Sequence, residues 1–183
     1  IKLLYQQATK ALFATLIIST ALVFVFWNYI SKDWLLNWLA ATYLLTLIRF
    51  LLVRSFFRKD PSVTESVTWG HLFISGVLLS GLLWGIAGGI FFVGNSALHQ
   101  LFLAYLLGGM IAGATATLSS YKGAFPAFAV PVAIPFIYQV VIHESDTSIA
   151  IALTYLLFVS IMGRISHRLH QTLTNSLNLR FSN

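Results

Sequence analysis

Cysteine is absent from this 183-residue sequence, and charged residues make up only 9% of it. Without cysteine, the chain can form neither a disulfide bond nor a thiolate metal site. A soluble domain has about a quarter of its residues charged, whereas 58% of this chain is hydrophobic and its mean hydropathy is +0.84. The composition therefore predicts an integral membrane protein and leaves no room for a large soluble domain.

Acidic residues are missing from the long apolar runs, since all five Asp and Glu residues fall between the runs or at their edges. Such side chains are the usual carriers of proton or cation coupling in membrane helices. The runs also contain no nucleophile beside a base, no phosphate-binding loop and no paired carboxylates. We therefore predict that the residues present do not form an enzyme.

The apolar runs are each long enough to cross a bilayer as a helix, so they predict an all-α bundle of six transmembrane helices. The predicted spans cover residues 9–30, 34–53, 68–93, 97–118, 123–142 and 148–166. The connections are short, so consecutive helices are expected to be antiparallel neighbours. Residues 1–168 form the predicted membrane domain, and residues 169–183 begin a cytoplasmic helix.

Basic residues mark one side of the predicted membrane. Lys32 falls on the far side if the N-terminus is cytoplasmic, whereas the other ten of the eleven lysine and arginine residues fall on the near side. Short cytoplasmic loops are rich in these residues, so both termini are predicted to be cytoplasmic. Arg49, close to the inner end of the second span, is expected to extend its side chain towards that interface.

Small residues indicate where helices pack in lipid, because close backbone approach is the main packing device there. The glycines that carry this prediction are Gly81, Gly85 and Gly89 in the third span and Gly108, Gly109 and Gly113 in the fourth. We expect both spans to be tightly packed central elements within one chain. A homodimer seam along the same glycines is the alternative.

The fifth span contains Pro131 and Pro135 in its interior, where each proline removes one helical hydrogen bond. The carbonyls of Ala127 and Pro131 lose their donors, so the helix is expected to kink or to unwind locally. A structural bend is the ordinary role of such prolines. A sharper hypothesis is a hinge or a ligand pocket, whose residues would be Trp84, Pro131, Pro135, Tyr138 and Gln139.

All five histidines lie at predicted membrane interfaces. The weak candidates for a metal or proton-sensing site on the outer loops are His99, His143, Glu144 and Asp146. No tight spacing motif supports such a site. A haem between His71 and either His167 or His170 is geometrically conceivable. We prefer ordinary interfacial histidines, and we expect neither a metal nor a cofactor.

The last stretch, residues 148–183, changes from apolar to polar. Leu169, Leu173, Leu177 and Phe181 recur every four residues in its polar part, which places them on one broad helical stripe. One helix is therefore expected to leave the membrane and continue, and the natural chain is expected to extend further. The residues predicted to transmit a signal along this helix are Arg168, Leu173 and Leu177.

Several stretches together carry a resemblance to a known family. They are Lys2–Gln7, Leu82–Gly85, Gly108–Tyr121, Ala124–Pro126, Arg168–Leu173 and Ser176–Asn183. The chain resembles the N-terminal six-helix sensor or anchor region of bacterial hybrid histidine kinases and of GGDEF or EAL proteins. The resemblance implies a bacterial inner-membrane location and a missing cytoplasmic output, which would be a histidine kinase, a diguanylate cyclase or a phosphodiesterase.

The resulting hypothesis is a sensory input and anchor domain that relays a membrane or periplasmic signal through the sixth helix. Its expected partners are the lipid bilayer, a second copy in a homodimer and a small hydrophobic ligand. No nucleic acid is expected, because the basic residues form no cluster. A passive dimerising anchor is one alternative. A small transporter or channel is another, although the acid-free spans speak against it.

Overall fold

The computed structural model describes residues 2–59, 61–62, 65–143 and 148–181, with the side chains of residues 148 and 177–181 outside the description. Within these residues the fold is helical and contains no strand. The helices are α1 (Lys2–Phe26), α2 (Lys32–Lys59), α3 (Ser66–Ile90), α4 (Ala97–Leu118), α5 (Ala124–Ile142) and α6 (Ser148–Phe181). All six are long and apolar enough to cross a membrane. The predicted all-α, six-helix architecture is confirmed.

The helix ends differ from the predicted spans in α1, which begins at Lys2 rather than at residue 9, and in α2, which runs to Lys59 rather than to residue 53. Its last turn carries Arg58 and Lys59, and cations in that position interact favourably with the helix dipole. Between α4 and α5, Gly123 has a φ of 88°, a left-handed conformation that glycine adopts without steric cost. This turn reverses the chain in a few residues.

The two ends of the bundle can be identified from aromatic contacts. At one end, which we call the Tyr5 end, the ring of Tyr5 stacks on Phe56 with centroids 4.0 Å apart, and its hydroxyl donates to the Trp69 carbonyl over 3.0 Å. At the other, the His99 end, the rings of Phe26 and His99 have centroids 5.5 Å apart. Consecutive helices run between these ends in alternating directions.

The helices contact one another in the order α1, α2, α3, α5, α6, α4 and back to α1, with α4 also touching α3 and α5. α3 makes its most extensive contact with α5 and only a marginal one with α4. Sequence neighbours are therefore not always the closest neighbours in space. The bundle contains two parallel pairs, α3 with α5 and α4 with α6.

The contact between α3 and α5 is made by backbone against backbone. A methyl group on Gly81 would lie 2.8 Å from the carbonyl oxygen of Phe128 and 3.1 Å from that of Ala127. One turn later, a methyl group on Gly85 would overlap the carbonyl oxygen of Pro131. No side chain fits at either glycine, so these two positions allow the helices to approach closely.

The prolines of α5 explain why carbonyl groups lie at this contact. Pro131 and Pro135 have no N–H, so the carbonyls four residues earlier, on Ala127 and Pro131, receive no helical hydrogen bond. These same carbonyls face the glycines of α3, whose Cα–H groups are weak donors. α5 nevertheless stays helical from Ala124 to Ile142. Of the two expected effects of the prolines, a kink or local unwinding, the unwinding does not occur.

The glycines of α4 are placed differently from the expectation. Gly108 lies beside Phe158 of α6, at an ordinary contact distance of 3.5 Å for an added methyl group, but nothing lies within 4 Å of the same position on Gly109 or Gly113. These two glycines therefore do not pack against another helix of the described chain. On α3, Gly89 is also looser than its neighbours, with Pro135 3.6 Å from an added methyl group.

Alanine substitutions separate the two kinds of glycine. Gly85→Ala forces α3 and α5 apart, so we expect the free energy of unfolding to fall by about 1 to 3 kcal/mol. Gly109→Ala adds a methyl group in open space and improves helix propensity, so it should leave stability unchanged or slightly higher. Thermal unfolding of both variants in detergent measures this difference. Equal losses in the two variants would contradict the described packing.

Candidate functional site

A groove of about 1070 Å³ lies between α1, α4 and α6. Among the described residues, α1 and α6 each contact α4 but not each other, so α4 forms the floor and the other two helices form the walls. The groove is lined mainly by Ile17 and Ala21 of α1, Ala104, Gly108, Gly109 and Ala112 of α4, and Ala150, Thr154 and Phe158 of α6. Its volume is at the upper end of small-molecule pockets.

Small side chains on α4 create this groove. Ala104, Gly108 and Ala112 recur every four residues on one face, and nothing lies within 4 Å of the position that a methyl group on Gly109 would take. Large side chains stand at the edges, where Tyr105 is 82% exposed. The lining carries no charged residue, and its polar residues are Tyr105, Thr154 and Tyr155. Such a surface suits an uncharged, apolar molecule or a lipid chain.

The residues predicted from sequence to form a pocket do not line this groove. Trp84 is fully buried, and its ring meets that of Trp38 at a near-perpendicular angle with centroids 5.2 Å apart. Tyr138 is 62% exposed on the outside of the bundle. Gln139 donates through Nε2 to the carbonyl of Gly89 over 2.7 Å. Trp84, Gln139 and the two prolines therefore contribute to contacts between helices, whereas Tyr138 does not.

The side chain of Arg49 contacts three residues of α3. Its Nη1 donates to the hydroxyl of Ser80 over 2.9 Å, and its guanidinium lies 5.6 Å from the ring centroid of Phe73. Gly76 leaves room for its stem, since a methyl group there would lie 3.2 Å from the arginine Cγ. Ser80 is one turn further from the Tyr5 end than Gly76. The side chain therefore lies against α3, between Phe73 on the side of the Tyr5 end and Ser80 on the other side.

Polar contacts join α4 to α6 at the Tyr5 end. The hydroxyls of Ser119 and Ser166 are 2.8 Å apart and buried. The hydroxyl of Ser119 also makes a short hydrogen bond to the Thr115 carbonyl. His170 lies one turn beyond Ser166, and its Nδ1 is 3.0 Å from the Ser119 carbonyl. Two side chains of α6 thus meet a single residue of α4.

The residues predicted to transmit a signal lie on different faces of α6. Arg168 and Leu169 are exposed, whereas His170 and Leu173 are half-buried; the side chain of Leu177 lies outside the described residues. The inward face of α6 after the membrane span therefore includes His170 and, from the predicted leucine stripe, Leu173 but not Leu169. The four-residue spacing of Ser166 and His170 was the sequence signal for this face. A search for apolar stripes passes over such polar residues, so this face was not predicted.

The outer candidates for a metal site are engaged in other contacts. The Nδ1 of His99 is 2.6 Å from the hydroxyl of Ser96, and the Nδ1 of His143 donates to the Gln139 carbonyl over 3.0 Å. Glu144 and Asp146 lie outside the described residues. Across the residues that the structure does describe, no group of three or more potential metal ligands converges.

Comparisons with protein families, with curated proteins and with solved structures find no match to this chain. The groove and the helix that continues from its wall therefore carry the functional argument.

The contact between Arg49 and Ser80 can be tested by removing the hydroxyl. Ser80→Ala deprives a charged donor of its acceptor within the bundle, so we expect the free energy of unfolding to fall by about 1.5 to 3 kcal/mol. Ser75→Ala is the matched control, because Ser75 is exposed and bonds only to the His71 carbonyl of its own helix. Thermal unfolding in detergent compares the two. A control that loses as much stability would refute the role given to Ser80.

Proposed function

We propose that this chain is the membrane sensory input and anchor region of a bacterial signal-transduction receptor. In this proposal, α6 relays the state of the groove to a cytoplasmic output module. The observation that carries the proposal is the continuity of α6. Five residues of α6 between Ala150 and Phe158 line the groove. The same helix continues to Phe181.

The length of α6 supports this role. Its 34 residues span about 50 Å at about 1.5 Å per residue, whereas the hydrocarbon core of a bilayer is about 30 Å thick. The last part of the helix therefore extends beyond what crossing requires. A ligand that widens or narrows the groove would tilt or slide α6, and a stiff helix would carry that displacement out of the membrane.

The chemistry of the groove defines the class of stimulus. Its lining has no charged side chain, so an ion or a charged metabolite would lose its hydration without gaining a partner. A small hydrophobic ligand or a lipid chain loses nothing by entering. We therefore propose an uncharged, membrane-soluble ligand.

The orientation follows from charge. Basic side chains near the Tyr5 end are exposed, as for Arg54, Arg58 and Arg168, while Lys32 begins α2 at the opposite end. The excess of basic residues favours a cytoplasmic Tyr5 end, with both termini inside and the protein in the inner membrane. The resemblance described above further suggests a homodimer and an output of the histidine kinase, diguanylate cyclase or phosphodiesterase type.

Single cysteines test the orientation directly, because the chain contains none of its own. A membrane-impermeant thiol reagent applied to intact spheroplasts should label Lys32→Cys. It should label Arg58→Cys only after the membrane is permeabilised. The parent chain provides the background. Labelling of Arg58→Cys in intact spheroplasts would invert the proposed topology.

The sensory role is tested by filling the groove in the protein expressed from its own gene. Ala112 lines the groove, so Ala112→Trp should mimic or block a ligand and change the output activity severalfold. The matched control is Ala116→Trp, one turn further along α4, exposed and not part of the lining. The intact mass of the expressed protein and its peptides identify the output to be assayed. Thermal unfolding of both variants serves as the stability control.

The outcomes separate the alternatives. If the output activity stays at the parent level in Ala112→Trp as it does in the Ala116→Trp control, a passive dimerising anchor is the better explanation. A natural protein with a mass near the 20.3 kDa of this chain would overturn the signalling proposal. Ligand flux into liposomes would then test the transporter alternative.

A further inference from the structure

The hydroxyl of Ser166 departs from the pattern along the rest of α6. Ser160, Thr172 and Thr174 each donate to a carbonyl of their own helix, which is the usual arrangement for such side chains. The Ser166 hydroxyl instead lies 2.8 Å from the hydroxyl of Ser119 on α4. It therefore links two helices rather than completing one.

The direction of each hydrogen bond follows from the donors available. Ser119 gives its hydroxyl proton to the Thr115 carbonyl, so its oxygen accepts the proton of Ser166. The carbonyl of Ser119 can only accept, so Nδ1 of His170 carries a proton and donates it over 3.0 Å. Because Ser119 is the C-cap residue of α4, its carbonyl has no helical N–H partner of its own.

Burial makes these contacts costly to separate one at a time. Ser119 is 3% exposed and Ser166 is 6% exposed, so a hydroxyl that lost its partner there would remain away from water. Ser166 and His170 are one turn apart and lie on the same face of α6. A displacement of α6 relative to α4 therefore breaks both contacts together.

We propose that Ser119, Ser166 and His170 form a latch that holds α6 against the end of α4 in the resting state and opens when α6 signals. This inference rests on the proposed sensory function and specifies how that function is regulated. The latch lies between the groove wall and the distal part of α6. Because both hydrogen bonds end on Ser119, they break together. A gradual change in the width of the groove therefore gives two positions of α6, one with the latch closed and one with it open.

The latch can be observed as a distance within one chain. Spin labels on Ser55→Cys and Asn175→Cys, both at exposed positions, report the separation between the ends of α2 and α6 by pulsed electron paramagnetic resonance. Dilution with unlabelled protein restricts the signal to distances within one chain. In this background, Ser166→Ala and His170→Ala should shift or broaden the distance distribution.

Matched controls distinguish the latch from general effects of substitution. Ser160→Ala removes a hydroxyl that bonds within α6, and His167→Ala removes an exposed histidine that contacts Gln171 of the same helix. Both should keep the parent distribution. His170→Asn should also keep it, because its amide nitrogen can donate from nearly the position of Nδ1. Parent-like distributions in both Ser166→Ala and His170→Ala would overturn the latch.

A covalent lock provides a second test that does not require weakening the fold. The double substitution Ser119→Cys and Ser166→Cys places two thiols where the hydroxyl oxygens now lie 2.8 Å apart, so oxidation should join them as a disulfide. Oxidation should make the output insensitive to Ala112→Trp, and reduction should restore the response. A response that persists in the oxidised protein refutes the latch. If Ala112→Trp has no effect even in the reduced protein, while Ser166→Ala still changes the distances, the sensory function fails and the latch stands.

Discussion

The close contact between α3 and α5 is the constraint on which the rest of the bundle depends. Two prolines leave carbonyl groups of α5 without helical partners, and the glycines of α3 let another backbone come against those carbonyls. In lipid, where apolar side chains gain little from leaving the bilayer, such an approach gives the pair its stability. The close approach of the two backbones requires both the prolines of α5 and the glycines of α3. Bulkier side chains on α3 would hold the helices apart.

The second parallel pair, α4 and α6, has the opposite character. Along much of its length α4 offers small residues that no neighbouring helix covers, which leaves the groove. At the Tyr5 end the pair is joined by polar contacts that converge on Ser119. One half of the bundle is therefore fixed by backbone packing. The other half is joined by these polar contacts at the Tyr5 end and leaves the groove open along its side, while α6 also packs on α5, where the rings of Phe136 and Tyr155 have centroids 4.8 Å apart.

The sequence was sufficient for the six helices because each is a long apolar run, and for the importance of the α3 glycines because their spacing is regular. It did not show that α5, rather than α4, makes the main contact with α3, since periodicity identifies a face but not the helix opposite it. The hydrogen bond of Arg49 to α3 depends on one hydroxyl, that of Ser80, which hydropathy could not single out. The groove was missed because small residues on α4 were interpreted as packing surfaces, and only the folded chain reveals that nothing packs on Gly109.

The open side of the groove determines which concentration of the proposed ligand sets its occupancy. Its edges are formed by residues such as Ile17 and Tyr105, which face outward from the bundle. A ligand would therefore enter from the surrounding lipid rather than from water. The quantity that determines occupancy is then the mole fraction of the ligand in the membrane. Two compounds with equal affinity for the groove but different partition coefficients would act at very different aqueous concentrations, and a change in lipid composition alone would alter the apparent threshold.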